Sequence, residues 1–181
     1  KSTKPRLGFT NIYSYFTDRK VWPRGYPLEL IQDSSKNVRD RMIHKDQSNV
    51  TVWQGLADQD PDVDAIYRLT DGRLIEFEKK DSFALGIGTW SPFNSQNTLW
   101  VDPKFFPLLY LPVTVTFRFT DILRGYTALA ILQDQGKTLG ITQATVYQER
   151  NPHNFLNDFE QKFMFFIKFS SIYHLSRHPQ K

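Results

Sequence analysis

Apolar and polar positions alternate most cleanly from Val113 to Phe119, where Val113, Val115, Phe117 and Phe119 interleave with Thr114, Thr116, Arg118 and Thr120. A period of two predicts a strand with one buried face. The pattern then changes, and Ile122, Leu123, Tyr126, Leu129, Ala130 and Leu132 recur at helical spacing, with Gly136 placed to stop the helix. Thr120 or Asp121 would cap that helix, and a further strand is predicted over Leu139 to Tyr147. Leu7 to Phe16 reads as a strand or extended segment, and Leu74 to Phe77 as a strand entered through the Asp71-Gly72 turn. Between them, Val21 to Ile31 carries Pro23, Gly25 and Pro27 and predicts a shaped loop, while the polar stretch Gln32 to Asn49 predicts a surface excursion. Strand, helix and strand in this order, preceded by further strands, predict a mixed α/β domain.

At 181 residues the chain suits one well-cored domain. Hydrophobic residues make up 40% and Phe occurs 15 times, so a disordered chain is excluded over most of the length. The net charge of +4 is mild and its cations are scattered; the densest group, Lys1, Lys4 and Arg6, reads as a solvated terminus, and nucleic acid is not expected as a partner. The absence of cysteine excludes disulfides, thiolate zinc sites and a Cys nucleophile. No apolar run approaches the roughly 18 residues that span a bilayer, so the chain as given reads as soluble. Neither a G-x-S-x-G nor a Walker A pattern occurs, which leaves hydrolase and NTPase readings without support.

Candidate chemistry gathers in three places. Asp58, Asp60, Asp62 and Asp64 form an acidic comb. An EF-hand register starting at Asp58 puts Val63 where Gly is needed and Leu69 where Glu should close the loop; a start at Asp60 puts Ala65 and Asp71 there. Both fail. The remaining readings are a helix start with Asp60 as cap and Pro61 in the first turn, or a DxD-type metal pair at Asp60/Asp62 or Asp62/Asp64. The second place is the loop Gly86 to Thr98, whose Asn, Gln, Ser and Thr side chains can hydrogen-bond a sugar or phosphate or simply connect two elements. The third is the join at Thr120-Asp121, where a strand end meets a helix start, a favoured ligand position in open α/β sheets. Asp121 there is either a general base oriented by Arg124 at i+3 or only a cap. His153, beside Glu149 and Arg150, is a metal or phosphate ligand or an ordinary loop residue; His174 and His178 have no carboxylate nearby.

The succession VWPRGYPLELI, VWQGLADQDPDVDAIYRLT, SPFNSQNTLW, LPVTVTFRFTDILRGY and QERNPHN resembles the STELLO-type glycosyltransferases, over roughly Leu7 to Phe159. The resemblance implies the C-terminal part of a GT-A-like fold, residues 1–160, followed by an unmatched tail, 161–181. It implies a divalent metal (Mn2+ or Mg2+), a nucleotide sugar, and a glycan or protein acceptor as partners, on a membrane-anchored parent facing the Golgi lumen. Trp22, Pro23, Arg24 and Gly25 match the family's WPRG loop, Gln54 and Gly55 its QG, and Asp121, Arg124, Gly125 and Tyr126 its D-x-x-R-G-Y. On this basis Asp121 and Arg124 are the expected catalytic pair, with Trp22, Arg24, Gln54, Asn94, Asn97 and Tyr126 at the substrate. Asp62, Asp64 and His153 are the weakest expectations, as metal ligands. The family's DxD strand lies upstream of the segment matching LGFTNIYSYF, so the expectation is a portion that lacks the nucleotide-binding half and is inactive alone. The alternative is a non-catalytic binding domain that keeps the fold without the chemistry.

Overall fold

Two strands that pair in parallel, Val50–Gln59 and Thr138–Gln148, hold the protein together. The computed structural model describes residues 8–32 and 43–149. In chain order its strands are β1 (Gly8–Phe9), β2 (Ile43–His44), β3 (Val50–Gln59), β4 (Phe83–Leu85), β5 (Thr89–Trp90), β6 (Thr98–Trp100) and β7 (Thr138–Gln148); its α-helices are α1 (Ala65–Thr70) and α2 (Phe117–Asp134). β1 and β5 make a small parallel pair, and the others form a five-stranded mixed sheet in the order β2-β4-β7-β3-β6. Only the β3-β7 pair of that sheet is parallel, and α2 lies in the connection that makes it so. This is the mixed α/β arrangement the sequence predicts.

The core forms where β-branched and aliphatic positions of β3 and β7 meet α2. Val52 registers with Leu139 and Gln54 with Ile141. Val52, Leu139 and Ile141 are fully buried, in one cluster with Ala128, Leu129 and Leu132 of α2. Aromatic residues extend that cluster under the N-terminal loops: Tyr15, Phe16 and Phe83 form a triangle of rings, with centroid distances of 4.9, 4.8 and 6.0 Å. The helix end is as expected, with Gly136 at φ 70°, a left-handed conformation suited to Gly.

Four expected elements differ. The strand over Val113 to Phe119 is absent: Thr116 is the N-cap and α2 begins at Phe117. Phe119, Ile122 and Tyr126 already keep helical spacing, and they pack together with Phe9 and Trp90. Val113 and Phe117 are left 89% and 87% exposed, so the period-two pattern buries no face. Asp121 therefore sits inside the helix, one turn past its start. The helix after the acidic comb begins not at Pro61 but at Ala65, with Asp64 as N-cap accepting from Ile66 N at 2.9 Å. Residues 61–63 instead form a tight turn, Val63 N donating to Pro61 O at 2.8 Å, tied to the WPRG loop through a Pro23–Val63 bridge and Arg24 N donating to Asp62 O at 3.0 Å. Leu74 to Phe77 contributes one isolated bridge, Ile75 to Gln59, rather than a strand. Gly8 to Phe16 divides into β1 and a 3-10 turn, Ile12–Tyr15, where the Asn11 side chain accepts from Tyr13 N at 3.1 Å.

Candidate functional site

The four carboxylates of the comb point to four different partners. Asp58 accepts from Phe77 N at 2.9 Å, Asp60 pairs with Arg68, Asp62 with Arg24, and Asp64 caps α1. Such a divergent set cannot converge on a cation. Among the described residues no three His, Asp or Glu side chains gather as a metal cluster. Asp62 and Asp64 thus do not fit the divalent metal expected of them, and no step is routed through one. His153 lies outside the described residues, as does the tail from Gln161.

Arg24 is the centre of the arrangement. Its Nε donates to both oxygens of Asp62, at 2.7 and 2.9 Å, and its Nη2 donates to Asp121 Oδ2 at 2.6 Å. The side chains keep only 13% (Arg24), 11% (Asp62) and 19% (Asp121) of their surface. Burial pulls the guanidinium toward its neutral form, but Asp62 and then Asp121 outweigh it, and its pKa ends above the ordinary arginine value. Asp121 Oδ1 also accepts from Ile122 N at 2.9 Å, which fixes the carboxylate on the helix. Sequence separations of 38 and 97 residues divide these partners, so no local pattern could have announced the triad.

From Asp62 the polar contacts run into the loop 91–97, beyond the carboxyl end of β3. Asp62 N donates to Gln96 Oε1 at 3.1 Å, Gln96 N to Asn94 Oδ1 at 2.9 Å, and Asn94 N to Gln54 Oε1 at 3.0 Å. Gln54 Nε2 in turn donates to Asn97 O at 3.1 Å. The structure thus joins Arg24, Asp62, Asp121, Asn94, Gln54 and Asn97 in one hydrogen-bonded chain. Gln96, which the sequence reading passed over, is its middle link; its signal was present in the amide-rich loop, without a way to rank one amide over another.

Arg124 meets this loop differently. Its Nη2 donates to Ser95 Oγ at 2.5 Å, and its guanidinium carbon lies 5.3 Å from the Phe93 ring centre and 5.7 Å from that of Trp100. It is 4% exposed, and its Nε has no hydrogen-bond partner among the described residues. Desolvation lowers its pKa, with Asp121 opposing at longer range. The expected Arg124–Asp121 contact is therefore electrostatic rather than a hydrogen bond; Arg24 makes that bond instead. The neighbouring Gly125 lets α2 approach, since a Cβ there would lie 2.3 Å from Phe93 O. Tyr126, buried, donates to Gly25 O at 3.0 Å and ties α2 to the WPRG loop; burial raises its pKa well above the usual value. Trp22 stands apart, edge-on to Tyr67 with 6.1 Å between ring centres, in a cavity on the other side of the WPRG loop.

No protein-family model matches the chain. It is 32% identical over 152 residues to the Probable glycosyltransferase STELLO2 of Arabidopsis thaliana and 31% identical over 150 residues to STELLO1 of the same plant. Each match takes in 80% of this chain and 19% of the relative, so the chain spans about a fifth of the length of the curated proteins it matches. The chain is homologous to that region of the two proteins. Among the described residues, no helix is long and apolar enough to cross a membrane.

Proposed function

Proceeding from homology with one region of the STELLO glycosyltransferases, we propose that this chain is the acceptor-side portion of a GT-A-like transferase that moves a sugar from a nucleotide sugar to an acceptor hydroxyl. The observation that supports this reading is the Arg24-held carboxylate of Asp121, linked through Arg24 and Asp62 to the same amide-rich loop that Arg124 meets. Asp121 accepts the proton of the acceptor hydroxyl as that oxygen attacks the anomeric carbon. The bond from the anomeric carbon to the diphosphate oxygen breaks, and the diphosphate leaves with its electron pair. Arg124, buried and without a carboxylate hydrogen-bonded to it, stabilises the charge that develops on the leaving group. Arg24 is a positioning residue, which holds Asp121 and Asp62 in register across the WPRG loop. Asn94 lies along the sugar, its main-chain N–H held by Gln54, which also bonds the main-chain oxygen of Asn97. In the parent protein the site faces the Golgi lumen, and the acceptor is a glycan or a glycosylated protein.

A second reading is favoured by how completely the carboxylates are engaged. Asp62 accepts two bonds from Arg24, and both oxygens of Asp121 accept one. A saturated network of this kind can be a staple between the WPRG loop and α2, in a domain that binds a glycan or protein without catalysis. Asp121→Asn in the full-length parent separates the two. Asparagine keeps an acceptor for Arg24 but is no base, so transfer should fall at least about a hundredfold with unchanged circular dichroism. Unchanged turnover would leave the staple reading standing.

A further inference from the structure

The sheet has a second face. Opposite α2, Trp53 and Gly55 of β3 register with Gly140 and Thr142 of β7. With Asn97 and Thr145, Trp53, Gly55 and Thr142 line an open cleft of about 480 Å3, within the range of about 300–1,000 Å3 usual for small-ligand sites. Two glycines shape its floor. A Cβ on Gly140 would come within 2.5 Å of the Trp53 ring, and one on Gly55 within 2.4 Å of the Asn97 carboxamide. Glycine inside a strand costs backbone entropy and marks a close approach. Here it lets an indole and an amide lie down on the sheet, so that a flat aromatic surface sits beside a flat polar one.

The lining has a chemical character of its own. Every residue that lines the cleft is uncharged, and besides Trp53, Leu99 and Gly55 all carry a hydroxyl or a carboxamide. Asn97 Nδ2 donates to Leu56 O at 3.0 Å and to Thr145 Oγ1 at 2.9 Å, which fixes the carboxamide and leaves its oxygen without a donor among the described residues. The Trp53 indole N–H likewise has no partner among them. Groups that both donate and accept, set around an aromatic ring and free of charge, match a sugar: its C–H face lies on the ring while its hydroxyls exchange hydrogen bonds. A nucleotide or an acidic peptide would find no cation here, and an apolar helix would cover hydroxyls it cannot satisfy.

We propose that this cleft binds a neutral oligosaccharide, with Trp53 as the stacking platform and Asn97 as the orienting amide. The site is distinct from the Arg24–Asp121 network, although Asn97 touches both: its main-chain oxygen accepts from Gly55 N at 2.8 Å and from Gln54. The proposal concerns binding alone and does not rest on the transfer chemistry above.

The test is titration of the 181-residue chain with neutral hexasaccharides (β-1,4-glucan, α-1,4-glucan and β-1,4-mannan), followed by tryptophan fluorescence and calorimetry, with an oligogalacturonate as the charged control. At least one neutral glycan should bind. Trp53→Ala and, at the rim, Thr145→Glu should each weaken it about tenfold or more, a difference of about 1.4 kcal/mol. Trp53→Phe keeps a ring and guards against a folding artefact; it should stay within about threefold of the parent. The proposal fails if no neutral glycan binds, if Trp53→Ala and Thr145→Glu bind as the parent does, or if the charged control binds equally. It also fails if the face proves to be covered by a second copy of the chain that Thr145→Glu releases. Because no turnover is read, such a failure would leave the role of Asp121 untouched.

Discussion

Arg24 and Arg124 are both largely withdrawn from solvent and have opposite surroundings. Arg24 is clamped by two carboxylates, whereas Arg124 meets a serine hydroxyl and two aromatic rings. Burying a charge costs several kcal/mol unless it is paired, and a cation over ring faces recovers only part of that cost. The difference is between a guanidinium whose charge is met by carboxylates of the fold and one met, among the described residues, by a hydroxyl and ring faces; under the proposed function the second is the one available to a ligand's charge.

The largest effect should come from breaking the clamp. Arg24→Met strands two buried carboxylates and should lower stability by about 3–5 kcal/mol, read from denaturant unfolding. A loss as small as that of an exposed ion pair would dissolve the contrast. Arg124→Met removes a cation that has no carboxylate hydrogen-bonded to it, so the desolvation it relieves should offset the lost serine bond and ring contacts. Its stability should stay within about 1 kcal/mol of the parent, while transfer by the full-length protein falls; equal losses in the two variants would mean that both arginines are structural.

The smallest effect sharpens the second tie between α2 and the WPRG loop, the bond from Tyr126 to Gly25. Burial raises the Tyr126 pKa in the folded protein. The folded state therefore holds its phenolic proton longer than the unfolded chain does. Stability should be insensitive to this group below pH ~10, the unfolded value, and fall as pH rises from there toward the folded one. Tyr126→Phe should remove that alkaline loss, at a neutral-pH cost of about 0.5–1.5 kcal/mol for the bond to Gly25. Parallel alkaline curves for the two proteins would place the titration elsewhere.

Much of the fold was legible because it is written locally. The strand at Leu139 to Tyr147, the apolar spacing of α2 and the Gly136 stop are read from neighbours a few residues apart, and the proline- and glycine-rich WPRG segment could only be a shaped loop. The misread segments failed for one reason. Val113 to Phe119 and Asp60 to Asp64 each satisfy two local patterns, and a distant partner decided between them: Phe9 and Trp90 for the first, Pro23 and Arg24 for the second. The site was legible as a set of residue types and not as a set of contacts. Asp121, Arg24, Gln54 and Asn94 were singled out from separate segments, yet nothing near Asp121 in the chain announces that Arg24, rather than Arg124, donates to it.

The place of β7 in the sheet has a consequence for how the protein is made. It is the last described strand in the chain, yet it lies in the middle of the sheet, between β4 and β3. Until it leaves the ribosome, the earlier strands can form only two separate two-stranded ribbons, β2-β4 and β3-β6, and isolated ribbons of that size are marginal in water. Its partner β3 must wait from Val50 until Thr138 is synthesised. Folding should therefore be late and abrupt, governed by closure of a long loop. A nascent chain stopped just short of Thr138 would carry every residue of the Arg24–Asp121 network without the strand that assembles the sheet beneath it.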